Sequence, residues 1–337
     1  MTRRPPASPA LGEVRRPSAA AWLALGLSAT VCLAAGAASS PPVTRETLRL
    51  GFTYSMFGGV NENDAKASIK ALAATVVRER NVPADPDPLL FNSTEAIAAA
   101  VRAGDVDAIG ITTEEFQELV REVRFDRYMM SVRNGDPTEE YLVLVRRDTG
   151  LTDLASLRGK RLAVFASPRM ALAPIWLDVA LTTAGLPPYP EHCGSVTEFT
   201  KLSKAVLNVF FRQADAGLVT RHGYATMTEL NPQLGVQLVV IAASPAMVPA
   251  MFAFRTDLAP GLKEDSVRAM ASLHTSLAGQ QVLTIFQVGQ VAERPLAALD
   301  SALALLDEFA RLRPQASAAR VQGLRSKKGI TPVPTQP

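Results

Sequence analysis

The side chains of this chain best suited to chemistry fall in four short clusters: Tyr54-Ser55-Met56, Thr112-Thr113, Ser167 with Arg169, and Thr220-Arg221-His222. Hydroxyls, guanidiniums and an imidazole are the groups that hold an anion, and a guanidinium does so through paired, charge-assisted hydrogen bonds. Catalysis asks for more than this. No Gly-x-Ser-x-Gly run is present, and Cys193 beside His192 reads as a chance neighbour rather than a nucleophile-base dyad. The three histidines, His192, His222 and His274, lack His-x-x-x-His or carboxylate spacing, so no metal site is expected, and no cofactor either. Arg169 stands at the start of a helical run, where the helix dipole disfavours a cation; the position predicts an anionic neighbour.

Each cluster follows an apolar run that reads as a strand. Leu48, Leu50 and Phe52 alternate with other residues ahead of Tyr54, and the phrase Phe57-Gly58-Gly59 closes that loop. Val106 to Ile111 reads as a buried strand ahead of Thr112, which forms a capping box with Glu115 and leaves Thr113 to face a ligand. Arg161 to Phe165 leads to Ser167, and Ala216 to Val219 leads to Thr220. Helical spacing runs over 64–80, from Asn92-Ser93-Thr94-Glu95 through Val101 to a capping Gly104, over 170–183, 201–212, 262–277 and 295–312. Strands alternating with helices over short links predict mainly parallel sheets with helices on both faces, and such sheets bind ligands at the carboxyl ends of their strands. The Met-rich run 244–254 reads as a buried strand approach, and the acidic run 114–124 as a helix with one solvated face.

The amino terminus sets the compartment. Arg3, Arg4, Arg15 and Arg16 precede an uncharged stretch over 19–38, and Ala35-Gly36-Ala37 fits a signal-peptide cleavage site. Residues 1–40 are therefore expected to be a signal peptide and linker, with a membrane tether if the segment stays uncleaved. Removal of that segment takes a net +3 from a chain whose formal charge is +3, so the basic balance belongs to the export signal and no nucleic-acid partner is expected. Cys193 is then the sole cysteine, and stability must come from apolar burial across two lobes of ordinary size. The Ser-, Lys- and Pro-rich stretch 313–337 is expected to be a disordered tail.

Four phrases together carry a resemblance: "LRLGFT", "VRAGDVDAIGI", "LASLRGKRLAVFASP" and "KAVLNVFFRQADAGLVTRHGYATM". They resemble the phosphate/phosphite/phosphonate branch of the solute-binding proteins of ABC transporters over about residues 47–310. The resemblance implies a two-lobed α/β fold of the type 2 periplasmic-binding class. Lobe 1 would take residues 47–141 plus 246–312, lobe 2 residues 142–245, with two hinge crossings between them. It implies a monomer that closes around a small, anionic solute and presents it to an ABC permease. Gly104-Asp105-Val106-Asp107 matches the family's Gly-x-x-Asp phrase, and Arg212-Gln213-Ala214-Asp215 is a weaker second copy. Two departures bear on the ligand. Where the family's phosphonate binders have a Ser-Thr-Ser-Gly-like run, this chain has Ser167-Pro168-Arg169-Met170, and the family's histidine is missing at Ser195-Val196-Thr197-Glu198. The ligand class therefore widens to oxyanions in general. Two other functions remain open on the residues: a sensing module of the same fold, and an enzyme built on Cys193, His222 or Glu114.

Overall fold

The computed structural model describes residues 47–57 and 60–312; the export segment, Gly58-Gly59 and the tail lie outside the described residues. Eleven strands are present among them: β1 (Leu50–Thr53), β2 (Leu89–Phe91), β3 (Ala108–Thr112), β4 (Phe125–Val132), β5 (Tyr141–Arg146), β6 (Arg161–Phe165), β7 (Ser195–Phe199), β8 (Ala216–Thr220), β9 (Leu238–Ala243), β10 (Ala250–Arg255) and β11 (Gln290–Glu293). They form a six-stranded sheet in the order β11-β4-β10-β3-β1-β2 and a five-stranded sheet in the order β7-β6-β8-β5-β9. The result is a two-lobed α/β architecture with one sheet to each lobe.

Both sheets are mixed. The parallel character expected from the alternating elements holds in β2-β1-β3 and β7-β6-β8. Elsewhere β10 and β11 run antiparallel to their neighbours, and so does β5 to both β8 and β9. Of these, β5 and β10 follow the crossings directly, where the chain enters one lobe from the other instead of returning over a helix.

Burial explains the local choices. β1, β3 and β8 are buried at every position, as strands covered on both faces must be. The first sheet is covered on one face by the helices Glu62–Arg80, Pro260–Ala271 and Leu277–Ile285 around Phe52, Ile69 and Met129, and on the other by Thr94–Ala103 and Thr113–Leu119 around Ile97, Ile109 and Phe116. The second sheet packs Ala173–Thr183 on one face and Leu202–Phe210 on the other. Gly110 lets β3 pass β1 closely, because a Cβ there would stand 2.6 Å from the Phe52 ring.

Two stretches join the lobes, residues 133–140 and 244–249. They pair at one point, where Glu139 and Met247 exchange backbone hydrogen bonds of 2.7 and 2.9 Å. The last helix, Asp300–Leu312, differs from the expectation that grouped it with the first lobe. Its Ala302, Leu306 and Phe309 sit in the apolar cluster of the second lobe, while Gln117 of the first lobe donates to Asp307 at 2.7 Å. The helix lies across both lobes because its apolar stripe fits the exposed side of Ala173–Thr183.

Candidate functional site

The carboxyl ends of the parallel strands meet between the lobes. After β1 the chain makes a 3-10 turn, Tyr54–Phe57, and shortly after β6 another, Pro168–Met170; these turns lie against each other. Proline at the start of the second turn presets the backbone for it. The α-helix proper starts only at Ala173, so Arg169 stands one turn ahead of the helix N-terminus and not on it, a correction to the position read from helical spacing.

Arg169 is the centre of the arrangement. Its guanidinium pairs with the carboxylate of Glu139, donates to Ser131 Oγ at 3.1 Å and donates to the Gln287 carbonyl at 3.1 and 3.3 Å. Ser131 lies on β4 and Gln287 just before β11, so an arginine of the second lobe holds two points of the first. The anionic neighbour predicted for Arg169 is thus present within the chain itself, in the crossing 133–140. Glu139 is 3% exposed and also pairs with Arg133 at 3.2 Å. Two guanidiniums therefore share the Glu139 carboxylate.

His222 feels the same group. Burial first, and then the charge of Arg133, holds its imidazole below the ordinary value of 6.5, with Arg169 acting in the same sense and Glu139 against it. Two hydroxyls near the strand ends are buried and make no hydrogen bond with the described residues: Thr53 Oγ1 at the end of β1, and Ser167 Oγ two residues past β6. A buried polar atom without a partner costs free energy, so such atoms mark places where something else donates or accepts.

Met56 and Arg169 also border an interlobe cavity of about 80 Å³. Pro168 lines it from the second lobe, Pro137 and Pro249 from the crossings, and Met129, Phe252 and Phe286 from the first lobe. A larger cavity, about 310 Å³, lies at the opposite, amino end of β1 and β3, beside Arg49, Asp107 and Arg255. Two guanidiniums share one carboxylate there as well: Asp107, 1% exposed, pairs with Arg49 at 2.9 Å and Arg255 at 3.0 Å, and Arg255 also reaches Asp257 at 3.4 Å.

The residues singled out from sequence divide accordingly. Ser167, Arg169, His222 and Met56 come together at the crossing. Tyr54 stands in the first turn with its hydroxyl donating to the Val60 carbonyl, and Ser55 is exposed beside it. Thr112 forms the expected capping box with Glu115. Thr113 does not face the cleft. It is fully buried, its hydroxyl donates to the Val248 carbonyl at 2.6 Å and its N–H to the Pro249 carbonyl at 2.9 Å, so it anchors a crossing strand. Thr220 caps the helix Arg221–Leu230 by accepting from Gly223 N–H. Arg221 is exposed and pairs with Glu140 at 2.7 Å, which takes its charge out of the group around Arg169. Arg133, Glu139, Ser131 and Gln287 were not anticipated. The only signal for them was a charged pair, Glu139-Glu140, directly ahead of an apolar strand.

Comparison with known proteins bears on the family and the fold. The family described as ABC transporter, phosphonate, periplasmic substrate-binding protein matches residues 59–294, well over half of the chain. Among curated proteins none matches the sequence. Solved structures share the fold at low identity. A Xanthomonas citri protein bound to ATP has a TM-score of 0.55 at 15% identity, over 80% of this chain and 99% of its own. A binding protein component of an ABC phosphonate transporter from Pseudomonas aeruginosa has a TM-score of 0.52 at 14% identity, over 84% of this chain and 95% of its own. PhnD1 from Prochlorococcus marinus, in complex with methylphosphonate, has a TM-score of 0.52 at 13% identity, over 79% of this chain and 98% of its own.

Proposed function

We propose that this chain, which belongs to the periplasmic substrate-binding proteins of phosphonate-type ABC transporters, captures a small oxyanion between its lobes at Arg169, Ser167 and His222. The family carries a small-molecule ligand to an ABC permease. The single observation that supports an anion is that Arg133 and Arg169 converge on one buried carboxylate, Glu139, while the turn that carries Arg169 also carries Ser167, whose buried hydroxyl makes no hydrogen bond with the described residues. An anion that accepts from Arg169 and Ser167 satisfies both. Tyr54, Ser55 and Met56 form the facing wall on the first lobe, and Thr112, Thr220 and Arg221 support the strand ends from behind.

Closure works by hinge motion about residues 133–140 and 244–249, with the solute taking over part of the tie between lobes. The reading is binding without turnover by a monomer exported through a cleaved signal. Burial pushes the Cys193 thiol up to about 11, so it holds little thiolate at neutral pH and is a poor nucleophile.

A thermal-shift series tests the reading, with phosphate, sulfate, methylphosphonate, methanesulfonate and acetate as anions and glycerol and ethylamine as controls. An anion at about 100 times its Kd stabilises by about 2.7 kcal/mol, a rise in Tm of about 4–5 °C for a chain of this size. Stabilisation by the controls alone would overturn it.

A further inference from the structure

We propose that the last helix, Asp300–Leu312, is a third element of the hinge, a splint alongside the two crossings that sets how readily the cleft closes. The proposal rests on the hinge reading given above and adds a part of the chain outside the cleft that controls it. After β11, in the sheet of the first lobe, the chain makes a 3-10 turn, Leu296–Leu299. Leu299 is fully buried in a first-lobe cluster with Ile109, Phe116 and Val248. The helix then continues without a break and buries Ala302, Leu306 and Phe309 in the second-lobe cluster with Trp176, Leu177 and Met247. Leu303, half-buried, packs against both clusters. The chain thus passes from one lobe to the other a third time, here as a helix.

Met247 and Val248 are neighbours in the crossing 244–249 and belong to one cluster each, so the helix and that crossing bridge the same two cores. The attachments of the helix to the two lobes differ in kind. In the second lobe its apolar stripe is closed by a leucine and a phenylalanine, and buried side chains of that size hold a helix firmly. Against the first lobe its body meets Thr113–Leu119 through a surface hydrogen bond, Gln117 Nε2 to Asp307 Oδ1 at 2.7 Å. One hydrogen bond at the surface is readily broken and remade.

The helix therefore rides with the second lobe and turns about Leu299. Hinges absorb their motion in a few residues at the ends of elements. The junction Leu299–Asp300 is such a place, because a 3-10 turn with its poorer hydrogen-bond geometry gives way there to α-helix. In the form described, Arg169 spans the lobes and Gln117 holds Asp307, so both contacts belong to the closed arrangement. Opening breaks the second as well as the first. Because apparent affinity falls with the fraction of protein in the binding form, the helix tunes capture without touching the solute.

Nitroxide pairs on Glu62–Arg80 and Arg221–Leu230 read the interlobe distance in the protein without solute. Asp307→Ala, a surface change, is expected to move the open-to-closed ratio about twofold to fivefold toward open, the range for one hydrogen bond. Leu303→Ala moves it further in the same direction. Each change is made alone and combined with Arg169→Ala, and circular dichroism melting confirms folding; a purely structural role would lower Tm and leave the distance alone. A distance unchanged or shorter in both backgrounds for Asp307→Ala overturns the splint. Where Arg169→Ala lengthens the distance and Asp307→Ala adds nothing, the hinge reading stands and the splint falls; where neither variant lengthens it, both fall.

A label on Ala310→Cys, at an exposed position of the helix, tests which lobe carries it. On opening by Arg169→Ala, its distance to Arg221–Leu230 should stay constant while its distance to Glu62–Arg80 grows. A constant distance to Glu62–Arg80 with a growing distance to Arg221–Leu230 assigns the helix to the first lobe and overturns the proposal.

Discussion

Replacing Arg169 by alanine is expected to open the cleft without unfolding the protein. The side chain belongs to the second lobe, yet it donates to Ser131 Oγ at 3.1 Å and to the Gln287 carbonyl at 3.1 Å, both in the first. A hydrogen bond from a charged donor contributes about 1.5–3 kcal/mol. The guanidinium is 19% exposed, which places the pair of contacts toward the lower end. Two such bonds at about 1.5 kcal/mol each come to about 3 kcal/mol, which shifts the closed-to-open ratio about 160-fold. Glu139 keeps Arg133 at 3.2 Å, so no buried charge is stranded and the effect falls on closure instead of on stability. Spin labels on the helices Glu62–Arg80 and Arg221–Leu230 would report the change as a longer inter-label distance, with a larger radius of gyration in solution scattering. Arg169→Lys keeps the charge and loses the fork, so it should lie between the two. An unchanged distance distribution in a folded Arg169→Ala protein would refute the reasoning, because the only described side chain of that turn that donates to Ser131 and Gln287 would then contribute nothing.

Asp107→Asn is expected to cost about 1.5–3 kcal/mol, since it weakens the charge-assisted hydrogen bonds from Arg49 and Arg255, which keep solvent and Asp257 as partners; urea unfolding measures it, and a loss under 1 kcal/mol would contradict the ion-pair account. The folded state favours neutral His222, so between its lowered folded value and 6.5 the unfolded chain binds more protons. Stability should therefore fall as pH drops through 6.5 and reach its full loss below the folded value, and His222→Asn should flatten that slope in urea titrations across pH about 5–8. The Cys193 thiol, buried and pushed up to about 11, should resist a thiol reagent in the native protein and react at once in denaturant; fast native reaction would argue for an accessible thiolate.

Much of the frame was legible because it rests on local signals. The capping box Thr112–Glu115, the Gly104 cap with φ of 80° and the strands Leu89–Phe91 and Arg161–Phe165 all follow from turn chemistry and apolar runs. β4 was missed because Asp126 and Arg127 interrupt its pattern. Arg127 is held by Glu264 and Glu293, long-range partners invisible to a local reading. β7 carries a mostly exposed edge, Ser195 to Glu198, so it lacks the apolar signature of the inner strands. The second Gly-x-x-Asp phrase looked weak for want of glycine, yet Arg212 takes up φ of 62° in the position where Gly104 sits in the first. The site itself was half legible. Arg169 and His222 stood out by type, while Arg133 and Glu139 acquire their meaning from the pairing of Glu139 with Met247, a contact across more than a hundred residues. Thr113 was misread because the carbonyls that satisfy it come from the crossing strand 248–249.

The two lobes solve one positioning problem twice. Arg49 at the start of β1 gives its N–H and its guanidinium to Asp107, and Asp107 N–H returns to the Arg49 carbonyl. Arg161 and Asp215 repeat the exchange at the start of β6. Each clasp fixes the register of a parallel pair at its amino end, Phe52 beside Gly110 in one lobe and Val164 beside Leu218 in the other. With the amino ends locked, the carboxyl ends come level, and Thr53, Thr112, Ser167 and Thr220 fall at or near two facing edges. The clasps lie at the far end of the strands from the crossing, so they hold each lobe rigid without tying one lobe to the other. Arg169 makes the opposite kind of contact: it joins the lobes at the edge where they move, through partners that a bound anion can replace.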